Sequence, residues 1–348
     1  MPQTLTALTD LAGLSYDDII DVRSPAEFAQ DHVPGAISLP VLSDKERARV
    51  GTIYKQVNPF DARKIGAALV SRNAATHIEG PLANRTGGWR PLVYCWRGGQ
   101  RSGSFAVILK QIGWRADTLE GGYRAYRRLV ARLLHDDPLP WRIILIDGNT
   151  GTAKTRLLGE LAAQGAQVLD LEHLAQHKGS LFGGLNGPQP AQKMFESRLA
   201  SALIPLDPAR PIYVEAESNK IGNLLVPGSL WKAMIKAPRF AITAPLQARA
   251  AHLVTTYQDL TSDIQALLEI IDKLRPYHPK DQIDAWKAAA LSGEYTWLAQ
   301  SLMQHHYDPR YKRSSARNMA STDSLSLPDL SHSTLEGVAA KLIKSLGS

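Results

Sequence analysis

The 348-residue chain carries 40 lysines and arginines against 33 carboxylates, a net charge of +7, with 44% hydrophobic and 21% charged residues. That length favours two domains, and the composition is that of a folded protein, which excludes a disordered or fibrous chain. No run reaches the ~18 apolar residues of a membrane span, the first residues lack the order of a signal peptide, and a single cysteine excludes an internal disulfide framework.

In chain order, Ile19–Val22 reads as a short buried strand and Pro25–Gln30 as a turn of helix. Residues 60–78 place Ile65, Ala68, Leu69 and Ile78 at helical spacing. Residues 91–95 (PLVYC) form a strand, 102–113 a helix, 117–122 a strand end and 123–134 a helix. Strands alternating with helices predict a parallel sheet covered on its faces. Two prolines in HDDPLPW, 135–141, mark a linker. A second α/β pattern follows: strand 142–148, helix 153–165, strand 166–172, helix 191–203, and strands 211–217 and 239–244. From 246 to 308 the pattern is mainly helical. Residues 333–347 form an amphipathic helix with Leu335, Val338, Leu342 and Leu346 near one face. The expectation is an α/β protein: a parallel-sheet domain over 1–135, then an α/β domain over 141–348 whose region from about 246 to 313 is helical.

Cys95 sits directly after a strand and before a helix, in PLVYCWRGGQRSGSF. Such a loop aims backbone N–H groups and the positive end of a helix at its centre, which favours a thiolate. Arg97 and Arg101 strengthen that field and suit an anionic substrate, while Gly98 and Gly99 permit the tight turn. Trp96 beside it is a candidate for stacking on a nucleobase or for plain packing.

The strand RIILIDG runs into GNTGTAKT, residues 148–155, and then a helix, the context of a Walker A phosphate loop. The loop of Gly148, Thr150, Gly151 and Thr152 would surround a polyphosphate with backbone N–H groups. Lys154 would neutralise it and Thr155 would meet a magnesium ion. Ala153 replaces the usual glycine before the lysine. Asp170 and Glu215 (or Glu217) end strands on the crevice side and are candidate magnesium partners, or simply helix caps. Lys178, Gly179 and Ser180 form a donor-rich turn able to close on phosphate, or a surface loop. His305, His306 and Tyr307 lack an acidic or cysteine partner at ligand spacing, so packing or RNA contact is expected there and no structural metal.

Between Arg85 and Arg142 stand eleven lysines and arginines against four carboxylates, a surplus of seven in that window alone. This fits a polyanionic partner, with a solvated basic face as the alternative.

Cys95, Gly98, Arg101 and Ser102 match the pattern Cys-x-x-Gly-x-x-Arg-Ser. With DVRSPAEF (21–28) and DHVPGAISLP (31–40), this resembles the signatures of rhodaneses. The resemblance implies a rhodanese-like chalcogen-transfer domain in which Cys95 carries sulfur or selenium as a persulfide-like adduct. The blocks at 41–70, 171–184, 192–199, 214–222 and 305–311 extend the likeness. Over nearly its whole length the chain resembles the tRNA 2-selenouridine synthases, a rhodanese-like domain followed by a P-loop NTPase-like domain. With neither a membrane span nor a signal peptide expected, a cytoplasmic location follows as the default, and no tightly bound cofactor is expected. The chemistry that the resemblance implies is prenylation of the wobble 2-thiouridine of certain tRNAs with geranyl diphosphate, then replacement of the geranylthio group by selenium from selenophosphate. Whether the loop at 148–155 holds geranyl diphosphate or a nucleotide stays open at this stage. So do three other readings: a sulfurtransferase with a regulatory P-loop domain, a P-loop kinase with a rhodanese docking module, and a non-enzymatic tRNA carrier.

Overall fold

The computed structural model describes residues 2–179, 182–183, 187–315 and 322–346. They divide into two compact units, Met1–Asp137 with Pro190–Ile204, and Pro138–Gln189 with Pro205–Ser348.

The first unit is built on a parallel sheet of order β2-β1-β3-β4: β1 (Asp18–Asp21), β2 (Ile37–Ser38), β3 (Pro91–Tyr94) and β4 (Asp117–Thr118). All four β3 residues are buried, as expected of a parallel strand covered on both faces. Its helices are α1 (Pro25–Gln30), α2 (Asp44–Gln56), α3 (Pro59–Glu79), α4 (Gln100–Ile112) and α5 (Gly122–Ala131). A reciprocal cap starts α2: Ser43 Oγ accepts from Glu46 N, and Glu46 accepts from Ser43 N. The reading from the sequence contained α3 but no α2.

The second unit opens on β5 (Ile143–Asp147), the central strand of a parallel sheet. It continues through α6 (Lys154–Ala163), β6 (Gln167–Leu169) and α7 (Leu171–Ala175). Helix α8 (Gln192–Leu203) then leaves to pack with the first unit. The sequence placed residues 191–203 within a domain spanning 141–348. Their buried face instead serves the first unit, where Glu196 pairs with Arg127 of α5. Strand β7 (Ile212–Glu215) returns to the second sheet. The hairpin β8 (Lys220–Ile221) and β9 (Leu224–Leu225), helix α9 (Gly228–Lys236) and β10 (Arg239–Thr243) follow. Helices α10 (Leu246–Thr256), α11 (Gln258–Ser262), α12 (Ile264–Asp272), α13 (Lys280–Ser292), α14 (Tyr295–Leu302) and α15 (Asp308–Ser315) fill the helical region. An unanticipated strand, β11 (Thr322–Ser326), pairs with β10 to complete the order β11-β10-β5-β7-β6. Helix α16 (His332–Leu346) packs Leu335, Val338 and Leu342 into the core around α6; the Leu346 side chain lies outside the described residues. No helix among the described residues is long and apolar enough to cross a membrane.

Candidate functional site

In the first unit Cys95 follows β3 and is only 4% exposed. Ser102 Oγ, on the first turn of α4, donates to its Sγ at 3.2 Å. Burial pushes the thiol pKa up, but the Ser102 hydroxyl and N–H, the Arg101 charge and the Arg97 N–H together bring it below the ordinary value. The loop closes on the turn before α5. Gly98 has φ +68, and a Cβ there would lie 2.6 Å from the Leu119 carbonyl, while one on Gly122 would strike the Cys95 carbonyl.

The segment DVRSPAEF frames this loop. Arg23, 1% exposed, pairs with Asp21 at 2.6 Å and lies over the Tyr123 ring at 3.9 Å. Glu27 caps α1 by accepting from Ser24 N and pairs with Arg101 at 2.8 Å. Burial would raise the Glu27 pKa, but Arg101 prevails and it falls to about 2. Arg101 is therefore partly neutralised and steadies the loop, whereas Arg97 is exposed and has no ion-pair partner among the described residues. Trp96 is half-buried against Tyr123, ring centroids 5.2 Å apart.

In the second unit the phosphate loop joins β5 to α6 with two glycines in the left-handed region. A Cβ on Gly148 (φ +146) would meet the Ile242 carbonyl at 2.5 Å, and one on Gly151 (φ +84) the Arg249 carbonyl at 3.1 Å. Ala153 itself adopts φ 62, ψ 35, the left-handed conformation that a glycine takes without strain. Lys154 Nζ donates to the Gly148 carbonyl at 2.9 Å, and the buried Thr152 hydroxyl to the Asn149 carbonyl at 2.8 Å. The Thr150 carbonyl accepts from Arg249 Nε and NH2.

Arg249 in turn pairs with Asp308 at 2.7 Å, and Asn149 Nδ2 also donates to Asp308. Tyr311 donates to Asp147 at the end of β5. HHYDPRY thus buttresses the phosphate loop from behind, a role the sequence reading did not give it. His306 is buried and hydrogen-bonded to His278 at 2.8 Å, a packing contact.

A cavity of about 510 Å³ opens on the loop. Gly148, Thr150, Gly151, Lys154, Thr155, Asp170, Glu172, Lys178 and Glu217 are among its walls. Thr152 and Glu215, both buried, are not among its lining residues. Lys178 Nζ is engaged with the Thr256 carbonyl at 2.8 Å and the Tyr257 ring, and Ser180 lies outside the described residues. Asp170 caps α7 by accepting from His173 N. The carboxylates that converge are Glu172, Glu215 and Glu217, their ligand atoms within 4.8 Å of one another. Burial first, then repulsion from Glu215 and Glu217, raises Glu172; burial first, then repulsion from Asp170 and Glu217 against a Thr155 hydrogen bond, raises Glu215; burial likewise raises Glu217. The sequence reading ran its strand through Glu172 and took Asp170 as the ligand; the strand in fact ends at Leu169, which makes Asp170 the cap of α7 and puts Glu172 on the helix facing the site.

A second cavity adjoins the first, sharing Thr150, Leu253, Tyr257 and Tyr307. Its other walls include Phe182, Val254, Leu267, Tyr295, Leu298, Leu302 and Met303, an almost wholly apolar lining.

Two family models match the chain in the same order as the two loops. Residues 3–129 match the rhodanese-like domain and residues 141–325 the tRNA 2-selenouridine synthase AAA domain. A tRNA 2-selenouridine synthase of Bdellovibrio bacteriovorus is 33% identical over 84% of this chain and 87% of its own length.

The chain belongs to the tRNA 2-selenouridine synthase family.

Further relatives of that name come from Marinobacter nauticus, 30% identical over 87% of this chain and 90% of that one, and from Nitrosomonas europaea, 35% identical over 72% of this chain and 66% of that one. Within a tRNA 2-selenouridine synthase, the two loops give an enzyme a polarised thiol in one unit and an anion cradle in the other.

Proposed function

We propose that this enzyme converts the wobble 2-thiouridine of tRNA to 2-selenouridine in the cytoplasm, by geranylation in the second unit and selenium exchange in the first. The observation that carries the reading is an apolar cavity beside the phosphate-loop cavity, with Thr150, Leu253, Tyr257 and Tyr307 lining both. A nucleotide would set a polar base and ribose against a lining made mainly of leucine, valine, methionine and aromatic side chains, which favours an apolar chain instead. Geranyl diphosphate matches both halves, with its anion on the loop and its hydrocarbon chain among those side chains.

Lys154 and the loop N–H groups hold the diphosphate as the carbon–oxygen bond breaks and the thiouridine sulfur takes the geranyl carbon. Glu172, Glu215 and Glu217 suit magnesium: they are hard oxygen donors grouped within 4.8 Å, with the Thr155 hydroxyl beside them. Bound there, the ion would offset charge on the departing diphosphate. Alkylation converts a thiocarbonyl sulfur, which cannot depart, into a group that can. In the first unit Cys95, whose thiol pKa lies below the ordinary value, serves the exchange of that group for selenium from selenophosphate, with Arg97 receiving the anionic donor.

Mass spectrometry of nucleosides from 2-thiouridine-containing tRNA, incubated with the enzyme, geranyl diphosphate and selenophosphate, tests both steps. Geranylthiouridine should appear first and selenouridine after it. Cys95→Ser should retain the first product and lose the second, whereas Lys154→Ala should slow the first about tenfold or more. Equal loss of both steps in both variants would sink the division of labour.

A further inference from the structure

Helix α2 and the start of α3 carry a block that neither loop uses. Among the residues of α2 none is fully buried, and at its end Tyr54, Val57 and Phe60 are 56%, 72% and 64% exposed. Three large apolar side chains left in water on one corner mark a contact surface. Beside them lies a cleft of about 830 Å³, walled by α2, α3 and the first turn of α4. Its charged lining residues are Arg47, Lys55, Arg63 and Arg101, with no carboxylate among them.

The nearest acids are already engaged. Glu27 pairs with Arg101 and Arg47, Asp61 with Lys64 at 3.0 Å, and Glu46 is held by Ser43 and Asn73. Lys55 and Arg63 remain exposed and unpaired with any carboxylate among the described residues. The cleft ends at Gln100, Arg101 and Ser104, on the helix whose N-terminal turn polarises Cys95.

We propose that this cleft binds the single-stranded loop of the RNA substrate, with Lys55 and Arg63 on phosphates and Tyr54 stacked on an unpaired base. The inference rests on the reading of the chain as a tRNA-modifying enzyme. Cations without carboxylates suit a phosphate backbone, and an exposed tyrosine among them suits an unstacked base. A base held here shares α4 with the Cys95 loop, through Gln100, Arg101 and Ser104.

The test uses the full chain and two fluorescent probes, a 2-thiouridine-containing anticodon stem-loop and a blunt RNA duplex of the same length. Affinities are followed by anisotropy across a salt series. Lys55→Glu with Arg63→Glu should weaken stem-loop binding about tenfold or more and flatten the dependence of log Kd on log salt by about 1.5. Tyr54→Ala should weaken it about tenfold at an unchanged salt slope, and should leave duplex binding as it was. Thermal unfolding and the Cys95 alkylation rate should match the parent, which separates lost binding from lost fold. Unaltered stem-loop affinity in both variants would overturn the proposal while leaving the tRNA reading intact. Equal losses toward duplex and stem-loop would overturn the single-strand assignment. If the parent protein bound neither probe, the tRNA reading itself would fall.

Discussion

At Cys95, burial opposes ionisation and four polar groups favour it, with the Ser102 hydroxyl the largest of those four. A hydrogen bond to a charged group contributes about 1.5–3 kcal/mol. Ser102→Ala should therefore slow alkylation of Cys95 by iodoacetamide at neutral pH about tenfold, with rates converging at high pH where the thiol ionises regardless. A uniform slowing at every pH would mean altered access instead. Ala153 balances differently. Its left-handed backbone costs about 1–2 kcal/mol, and its buried methyl returns about 0.8 kcal/mol. Ala153→Gly should accordingly shift unfolding in urea by less than about 1 kcal/mol and leave diphosphate binding in place. The thiol, its arginines and the phosphate loop were legible in the sequence because each lies on a contiguous strand–loop–helix segment. Glu172 and Asp308 were not, because their chemistry comes from residues dozens or more positions away.

Among elements, the phosphate loop depends on an ion pair between α10 and α15 whose two residues do not line the cavity. Arg249 and Asp308 are largely buried partners, and removing one strands the other's charge. Asp308→Ala should cost about 3 kcal/mol of stability and weaken geranyl diphosphate binding, although Asp308 does not line the cavity. Asp308→Asn, which keeps an acceptor for Asn149 and Arg249, should recover part of both losses; calorimetry on the two variants decides. The strands and helices with regular apolar periods were readable in advance. Helix α2 was missed because it has no fully buried residue to set a period, although Ser43 and Glu46 wrote its start in plain capping terms. Strand β11 was missed because DSLS alternates too little to separate from loop. It is recognised only by its pairing with β10.

For the molecule as a whole, stability is tied to pH through the acidic cluster. Glu172, Glu215 and Glu217 have folded-state pKa values raised above the ordinary 4.5. The folded protein then holds more protons than the unfolded chain, so the contribution is complete below that ordinary value and is lost as pH rises through the raised ones. The urea midpoint of the ligand-free protein should fall from pH 5 toward pH 9. Magnesium should restore it at the alkaline end, and Glu215→Gln should flatten the profile. A midpoint that rose over this range would contradict the raised values.

The path of the chain also bears on inheritance. Helix α8 is encoded between two strands of the second sheet, yet its Glu196, 5% exposed at the side chain, supplies the counter-charge for Arg127 in the first unit. A crossover that spliced a different phosphate-loop gene in after residue 137 would deliver a first unit lacking that helix and carrying an unmatched arginine. Such a hybrid should fold less stably than the parent, whatever its activity. The thiol and the phosphate loop are therefore expected to descend as one linked block rather than to be shuffled as interchangeable modules.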